Sequence, residues 1–305
     1  SLGLFYSAIT KAVKLKPNED EYITMGMAAY GTPHIKIDPY NNYHKGIHLQ
    51  RELSDNDIAA SAQAIIEREI IKIMTRARKY SRYLCYGGGV ALNCVANSKV
   101  HYMFDKVWIL PNPGDAGSSL GAAAAYLNKP LKWIDPYLGT DIKRDINVKE
   151  VVRYLIDNSY CGIANGRAEF GPRALGNRSL IADPRKDIKD TVNQIKRRQK
   201  FRPFAPAILE EFADEYFEGP MNEYMQYVAK AKHDHKSVTH VDGTARVQVV
   251  KKDCKSVIRP ILEEWYEQTK CPMLLNTSLN IKGKPMVDNL RQAKGFEKIY
   301  GVKVF

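Results

Sequence analysis

Two guanidinium groups, Arg173 and Arg178, lie in the run GRAEFGPRALGNRSLIADPR, held between Gly171, Pro172 and Gly176. An arginine on an ordinary surface helix needs no glycine or proline beside it, whereas a rigid turn presenting planar forks suits a phosphate or carboxylate. Taken alone the run also reads as a structural turn. More cations follow. Lys196, Arg197, Arg198 and Arg202 occupy VNQIKRRQKFRPFAPAI, ahead of a segment pinned by Pro203 and Pro206; by itself this is a solvated helix end, where cations are favoured. In VTHVDGTARVQVV, β-branched residues flank Asp242 and Gly243, which places Arg246 on a strand just after a tight turn. The apolar run of PMLLNTSLN breaks into Asn276, Thr277 and Ser278, small polar groups suited to an anion or nucleotide at a strand end.

The surrounding pattern supplies elements to hold these groups. Ile58, Ala62, Ile65, Ile66, Ile70, Ile73 and Ala77 trace one face of a long helix. Tyr83 to Tyr86 reads as a buried strand, Gly87 to Gly89 as a turn, and a helix is expected from near Val90. Strand, glycine turn and helix start can bring backbone N–H groups close to a nucleotide. The triplet nevertheless lacks the Rossmann or Walker spacing. Lys106 to Leu110 gives another strand, and PNPGDAGSSLGAAAAY gives a turn carrying Asp115 and a small-residue helix; an Asp after Pro-Gly is commonly a turn residue or cap. Proline, glycine and charges in WIDPYLGTDIKRDIN place a boundary near residue 138, giving domains 1–137 and 138–305. NVKEVVRYLIDNS and YCGIAN open the second as helix and strand. The expected class is α/β plus α+β.

Composition bounds the possibilities. A chain of 305 residues can hold two cores. No apolar stretch approaches the roughly 20 residues of a membrane span, so no membrane association is expected. The 46 Lys+Arg against 34 Asp+Glu leave a net charge of +12, suited to polyanionic ligands and equally to nucleic acid. Five cysteines form no CxxC pair, which argues against a zinc knuckle or a disulfide framework and makes the reducing cytoplasm the expected location. The chain opens in SLGLFYSAITKAV without an initiator Met, an amphipathic pattern halted by Pro17, and reads as a fragment. Its seven histidines are scattered, and KHDHK around Asp234 reads as a solvated loop.

The segments GGGVALNCVAN, PGDAGSSLGAA, GRAEFGPRALGNRS, FRPFAPAI, THVDGTARVQ and LNTSLN, in this order, resemble the O-carbamoyltransferase family that includes NodU, CmcH and TobZ. The likeness runs from about Phe5 to about Val287. It implies the C-terminal part of an actin/sugar-kinase-like domain, lacking the family's upstream lobe with its HxxxH motif, followed by a YrdC-like domain. It implies that carbamoyl phosphate and ATP, with Mg²⁺, give carbamoyladenylate, whose carbamoyl group passes to a hydroxyl of a small-molecule acceptor such as a sugar, antibiotic or nucleotide-like compound. By resemblance Arg173, Lys196, Arg202 and Arg246 are the catalytic cations, and Asn276 and Ser278 bind the adenylate. Arg178 belongs to the same loop, as a further ligand group or as a structural clamp. Gly88, Gly89 and Asn93 are assigned to nucleotide binding, and Asp115 to a metal, Fe²⁺ or a similar ion, at a site left incomplete here. Leu279 stands where the family usually has Phe. Two other classes stay open: an enzyme resembling the threonylcarbamoyl-adenosine tRNA-modifying machinery, and a non-catalytic nucleotide-binding module. FGPRALGNR and DGTAR favour the small-molecule family. No aromatic platform interleaved with Lys and Arg speaks for nucleic acid as a partner.

Overall fold

The computed structural model describes residues 1–49 and 52–305. It divides into two compact units, Ser1–Gly114 and Asp115–Phe305.

In the first unit, helices α1 (Leu2–Ala12), α2 (Glu21–Met27), α3 (Asp55–Arg78) and α4 (Cys94–His101) accompany a two-stranded parallel sheet of β1 (Tyr83–Tyr86) and β2 (Lys106–Ile109). Ile58, Ala62, Ile66, Ile70 and Met74 recur every four residues along α3 and bury themselves with Phe5 and Ile9 of α1 and Val100 of α4. Each isoleucine, methionine, valine or phenylalanine of this set removed from water contributes about 1.5–3 kcal/mol. Ile73, which the spacing assigns to the same face, is 47% exposed; 73 lies a quarter-turn off the stripe that 70 and 74 define. β1 has its expected bounds but is not buried on both faces: Tyr83 is 64% exposed. The helix expected from Val90 begins only at Cys94, after a 3-10 turn over Gly89–Leu92.

The second unit contains α5 (Ser118–Leu127), β3 (Tyr137–Ile142), α6 (Val148–Asn158), β4 (Tyr160–Ala164), β5 (Gly166–Glu169), β6 (Arg178–Ala182), α7 (Lys189–Ile195), β7 (Ala205–Leu209), α8 (Ala213–Tyr216), β8 (Phe217–Glu218), β9 (Ala229–Ala231), β10 (Thr244–Ala245), β11 (Gln248–Val250), α9 (Ile258–Thr269), β12 (Met273–Ser278) and α10 (Leu290–Tyr300). Five strands form a mixed sheet in the order β11-β7-β12-β6-β4, parallel only between β11 and β7. Two smaller antiparallel sheets, β3-β5 and β10-β9-β8, complete a mixed α/β unit. Asn147 caps α6 through Glu150 N, and the helix lays Val151, Val152 and Leu155 into the core before ending at Ser159 in the left-handed region. α9 packs beside α6 and against β7 and β12, with Trp265 fully buried. Lys303–Phe305 bond to Gly162 and Ala164, covering the open side of β4.

Candidate functional site

The arginine loop is tied from inside by a carboxylate. Glu169 closes β5, is buried, and its Oε1 accepts from Leu175 N at 2.8 Å, Asn177 N at 2.8 Å and Arg178 N at 3.2 Å. Burial raises its pKa, and the three N–H donors oppose that rise. Gly176 lets the loop lie flat: its φ is +124°, and a Cβ there would overlap Ser256 Oγ and stand 2.6 Å from Ile258 Cβ. Arg173 lies within this turn and is half-buried.

Arg178 does something else. It is fully buried, and its guanidinium donates only to main-chain oxygens: Nε to Asp288 (3.1 Å), Nη1 to Asn165, Gly166 and Asn177 (3.0, 3.1 and 2.8 Å), and Nη2 to Thr140 and Asp288 (2.7 and 2.9 Å). Every N–H of the fork is thereby spent inside the fold. Of the two roles open to Arg178 in the sequence, the clamp is the one that its geometry fits; nothing is left to grip a ligand.

Three of the remaining groups, Lys196, Asn276 and Ser278, gather along β12. Asn276 and Ser278 are two residues apart on the strand and so share a face. Lys196 caps the C-terminus of α7 and is 3% exposed; its Nζ donates to Ser278 O at 2.5 Å, to Asn280 O and Oδ1, both at 2.9 Å, and more weakly to Ser278 Oγ at 3.3 Å. Ser278 Oγ in turn donates to Asn280 Oδ1 at 2.6 Å. The segment carrying Arg202 is anchored by buried Asn193, whose Nδ2 donates to Lys200 O and Arg202 O while Oδ1 accepts from Arg198 Nε. Asn276 Nδ2 donates to Ala174 O of the arginine loop at 3.1 Å and to Gln248 Oε1 at 2.7 Å. Arg246 lies between β10 and β11, just past the strand on which the sequence places it, after a turn whose Gly243 has φ +78°. The donor Arg246 Nε and the acceptor Asn276 Oδ1 are buried without a partner among the described residues, as are Glu169 Oε2 and Asn177 Oδ1 of the arginine loop and Gln199 Oε1 beside Arg198.

Burial pushes the Lys196 amine well below the usual lysine range, and the charges of Arg198 and Arg202 push it further. Because the native pKa lies below the unfolded one, the burial costs stability fully at pH below the native value, and the cost fades as pH rises from there to the unfolded value. A bound anion offsets that cost. Affinity for inorganic phosphate is therefore expected to fall as pH rises through the depressed Lys196 pKa, well before the value of about 10.4 at which an exposed lysine titrates. Calorimetric titrations across pH check this, and Lys196→Met is expected to flatten that fall. The same pH profile in both proteins would remove Lys196 from the anion site.

In the first unit Gly88 adopts φ +91° and its N–H donates to Pro113 O at 2.7 Å, so that donor serves the turn; nothing lies within 4 Å of a Cβ built at Gly88 or Gly89. Asn93 caps α4 through Ala96 N and exchanges side-chain hydrogen bonds with Gln63. Asp115 is exposed and opens a short 3-10 turn in the second unit. Among the described residues no group of three or more His, Cys, Asp or Glu gathers as a metal shell. One exposed carboxylate does not supply the coordination that a divalent ion needs, so the residues present do not by themselves fit the iron-type ion.

Three contributors were not singled out from the sequence: Glu169, Gln248 and Asn280. Glu169 is a lone carboxylate inside a basic Gly/Pro run, and Gln248 a lone amide among valines. Either mismatch marks a buried polar group that needs partners.

Residues 41–124 match the family model described as carbamoyltransferase N-terminus and residues 152–303 the one described as carbamoyltransferase C-terminus. The chain is 32% identical to the nodulation protein NolO of Bradyrhizobium diazoefficiens, over 96% of this chain and 65% of that protein. It is 32% identical to an uncharacterized protein of Methanocaldococcus jannaschii (96% and 68%) and 33% identical to nodulation protein U of Sinorhizobium fredii (75% and 46%). The chain belongs to the carbamoyltransferase family. It spans 65%, 63% and 52% of the lengths of three of its curated relatives. No helix among the described residues is long and apolar enough to cross a membrane.

Proposed function

We propose that this chain carries the donor-activating part of an ATP-dependent O-carbamoyltransferase, in which the second unit includes a YrdC-like domain and the first belongs to an actin/sugar-kinase-like domain. Carbamoyl phosphate is hydrolysed to carbamate and phosphate; a carbamate oxygen then attacks the α-phosphorus of ATP, which enters with Mg²⁺, and pyrophosphate leaves. The resulting carbamoyladenylate transfers its carbamoyl group to a hydroxyl of a small-molecule acceptor, releasing AMP. The observation that carries this reading is that the buried Lys196 amine bonds to Ser278 of β12, two residues from buried Asn276, whose Oδ1, like Arg246 Nε, has no partner among the described residues. Cations neutralise the phosphate charge, and in a site that excludes water they do so far more strongly than in solvent. Arg173 in the arginine loop and Arg202 beside Lys196 add to the positive field. The test is release of pyrophosphate from ATP that depends on carbamoyl phosphate. Arg246→Lys is expected to lower that rate by about tenfold or more, because an ammonium does not reproduce the guanidinium fork. Folded protein without carbamoyl-phosphate-dependent release would overturn the reading.

A further inference from the structure

Gln248 opens β11 at 2% exposure, set among Val247, Val249 and Val250. A buried amide has to find partners, and the partners of Gln248 dictate which way it faces. Its Nε2 donates to Leu175 O at 2.9 Å. A main-chain carbonyl only accepts, so the nitrogen end must face the arginine loop and Oε1 must face β12. There Oε1 accepts from Asn276 Nδ2, which also donates to a second main-chain carbonyl, Ala174 O. If the Asn276 amide turned over, its oxygen would meet two acceptors. Loop carbonyl, Gln248 and Asn276 thus form a relay that holds Asn276 Oδ1 in one place. That oxygen is buried and has no donor among the described residues.

A buried acceptor without a donor is costly, and a ligand N–H is what would satisfy it. On the donor reading above, on which this inference rests, the relevant difference is between carbamoyl phosphate, which carries an NH₂, and an acyl phosphate, which carries a methyl group in its place. We infer that Gln248 is a positioning residue that locks Asn276 with its oxygen toward the donor, and so makes the site select an amide-bearing phosphate over its methyl counterpart. Gln248 does not itself touch the donor; it acts through Asn276.

The test uses two hydrolysis-stable ligands that differ only in NH₂ against CH₃, phosphonoacetamide and acetonylphosphonate, titrated calorimetrically into the whole chain. Wild type is expected to prefer the amide by at least about tenfold, the value of one made hydrogen bond. Gln248→Met is expected to bring the two affinities within about threefold of each other, leaving acetonylphosphonate binding unchanged. Loss of general packing would weaken both ligands alike. The variant leaves no group wholly unpaired, because Leu175 O keeps the Tyr137 hydroxyl at 3.1 Å and Asn276 Nδ2 keeps Ala174 O. Gln248→Glu is the rescue. A carboxyl buried here stays protonated, offers its O–H to Leu175 O and its carbonyl oxygen to Asn276 Nδ2, and is expected to retain the preference. It also decides the matter should Gln248→Met not fold. Undiminished selectivity in Gln248→Met, or lost selectivity in folded Gln248→Glu, overturns the inference while leaving the donor reading intact. Equal binding of both ligands by wild type overturns it as well. Binding of neither ligand by wild type removes the donor reading itself.

Discussion

Arg178→Ala is expected to destabilise the second unit by about 3–5 kcal/mol, the cost of deleting a buried charged side chain together with the hydrogen bonds it donates. The side chain is completely enclosed, and its donors reach β3, the β4–β5 turn, its own loop and the residue before Asn289 at the head of α10. Truncation takes donors from main-chain carbonyls in all four places, of which Asn177 O keeps the Asn165 N–H, and removes a positive charge that interacts with Glu169. Against a total stability of about 5–15 kcal/mol, this is the difference between a folded and a partly unfolded population at physiological temperature. The midpoint of thermal unfolding is expected to fall by about 6–20 °C, and hydrogen exchange in β4 and β6 to accelerate. Arg178→Lys retains three of the five donors and is expected to lose less, about 1–3 kcal/mol. Phosphate binding per folded molecule is expected to stay unchanged in Arg178→Lys. An unchanged melting curve for Arg178→Ala would show that the clamp contributes nothing, and a folded variant blind to phosphate would return Arg178 to the binding site.

That contrast between Arg173 and Arg178 marks where the sequence stops being legible. The loop itself is visible in Gly171, Pro172 and Gly176, because turn chemistry is local. α3 and α6 are equally visible, since a four-residue spacing of Ile58, Ala62, Ile66 and Ile70, or Asn147 ahead of Glu150, acts within a few turns of chain. Which of two arginines five residues apart turns inward depends on partners such as Asp288, which is 110 residues away. The pairing of Asn276 with Ala174, 102 residues apart, is equally invisible to any window along the chain. Exposure is lost in the same way: β1 reads as buried from its apolar composition, yet whether a strand has one covered face or two is decided by its neighbours and not by itself. Sequence order and motif wording identify the family. They do not separate a polar group that is spent inside the fold, such as Arg178, from one that is not.

The sharpest functional test of that separation is Arg202→Ala. Arg202 is held through its main-chain carbonyl by Asn193, and its charge reaches the buried Lys196 amine closely enough to lower that pKa. Its backbone position is therefore fixed independently of its side chain, and truncation is expected to leave the fold intact. Loss of one charged contact to a desolvated anion costs about 2–5 kcal/mol, so carbamoyl-phosphate-dependent pyrophosphate release is expected to fall by about thirtyfold to several thousandfold. A second consequence separates this role from a structural one. With a neighbouring positive charge gone, the Lys196 amine is expected to titrate at higher pH, so the pH at which phosphate affinity declines should move upward even as that affinity drops. A variant with wild-type rates removes Arg202 from the site. A variant with reduced rates and an unmoved pH profile would mean that Arg202 acts on the donor without sharing its field with Lys196, and that the two cations work separately.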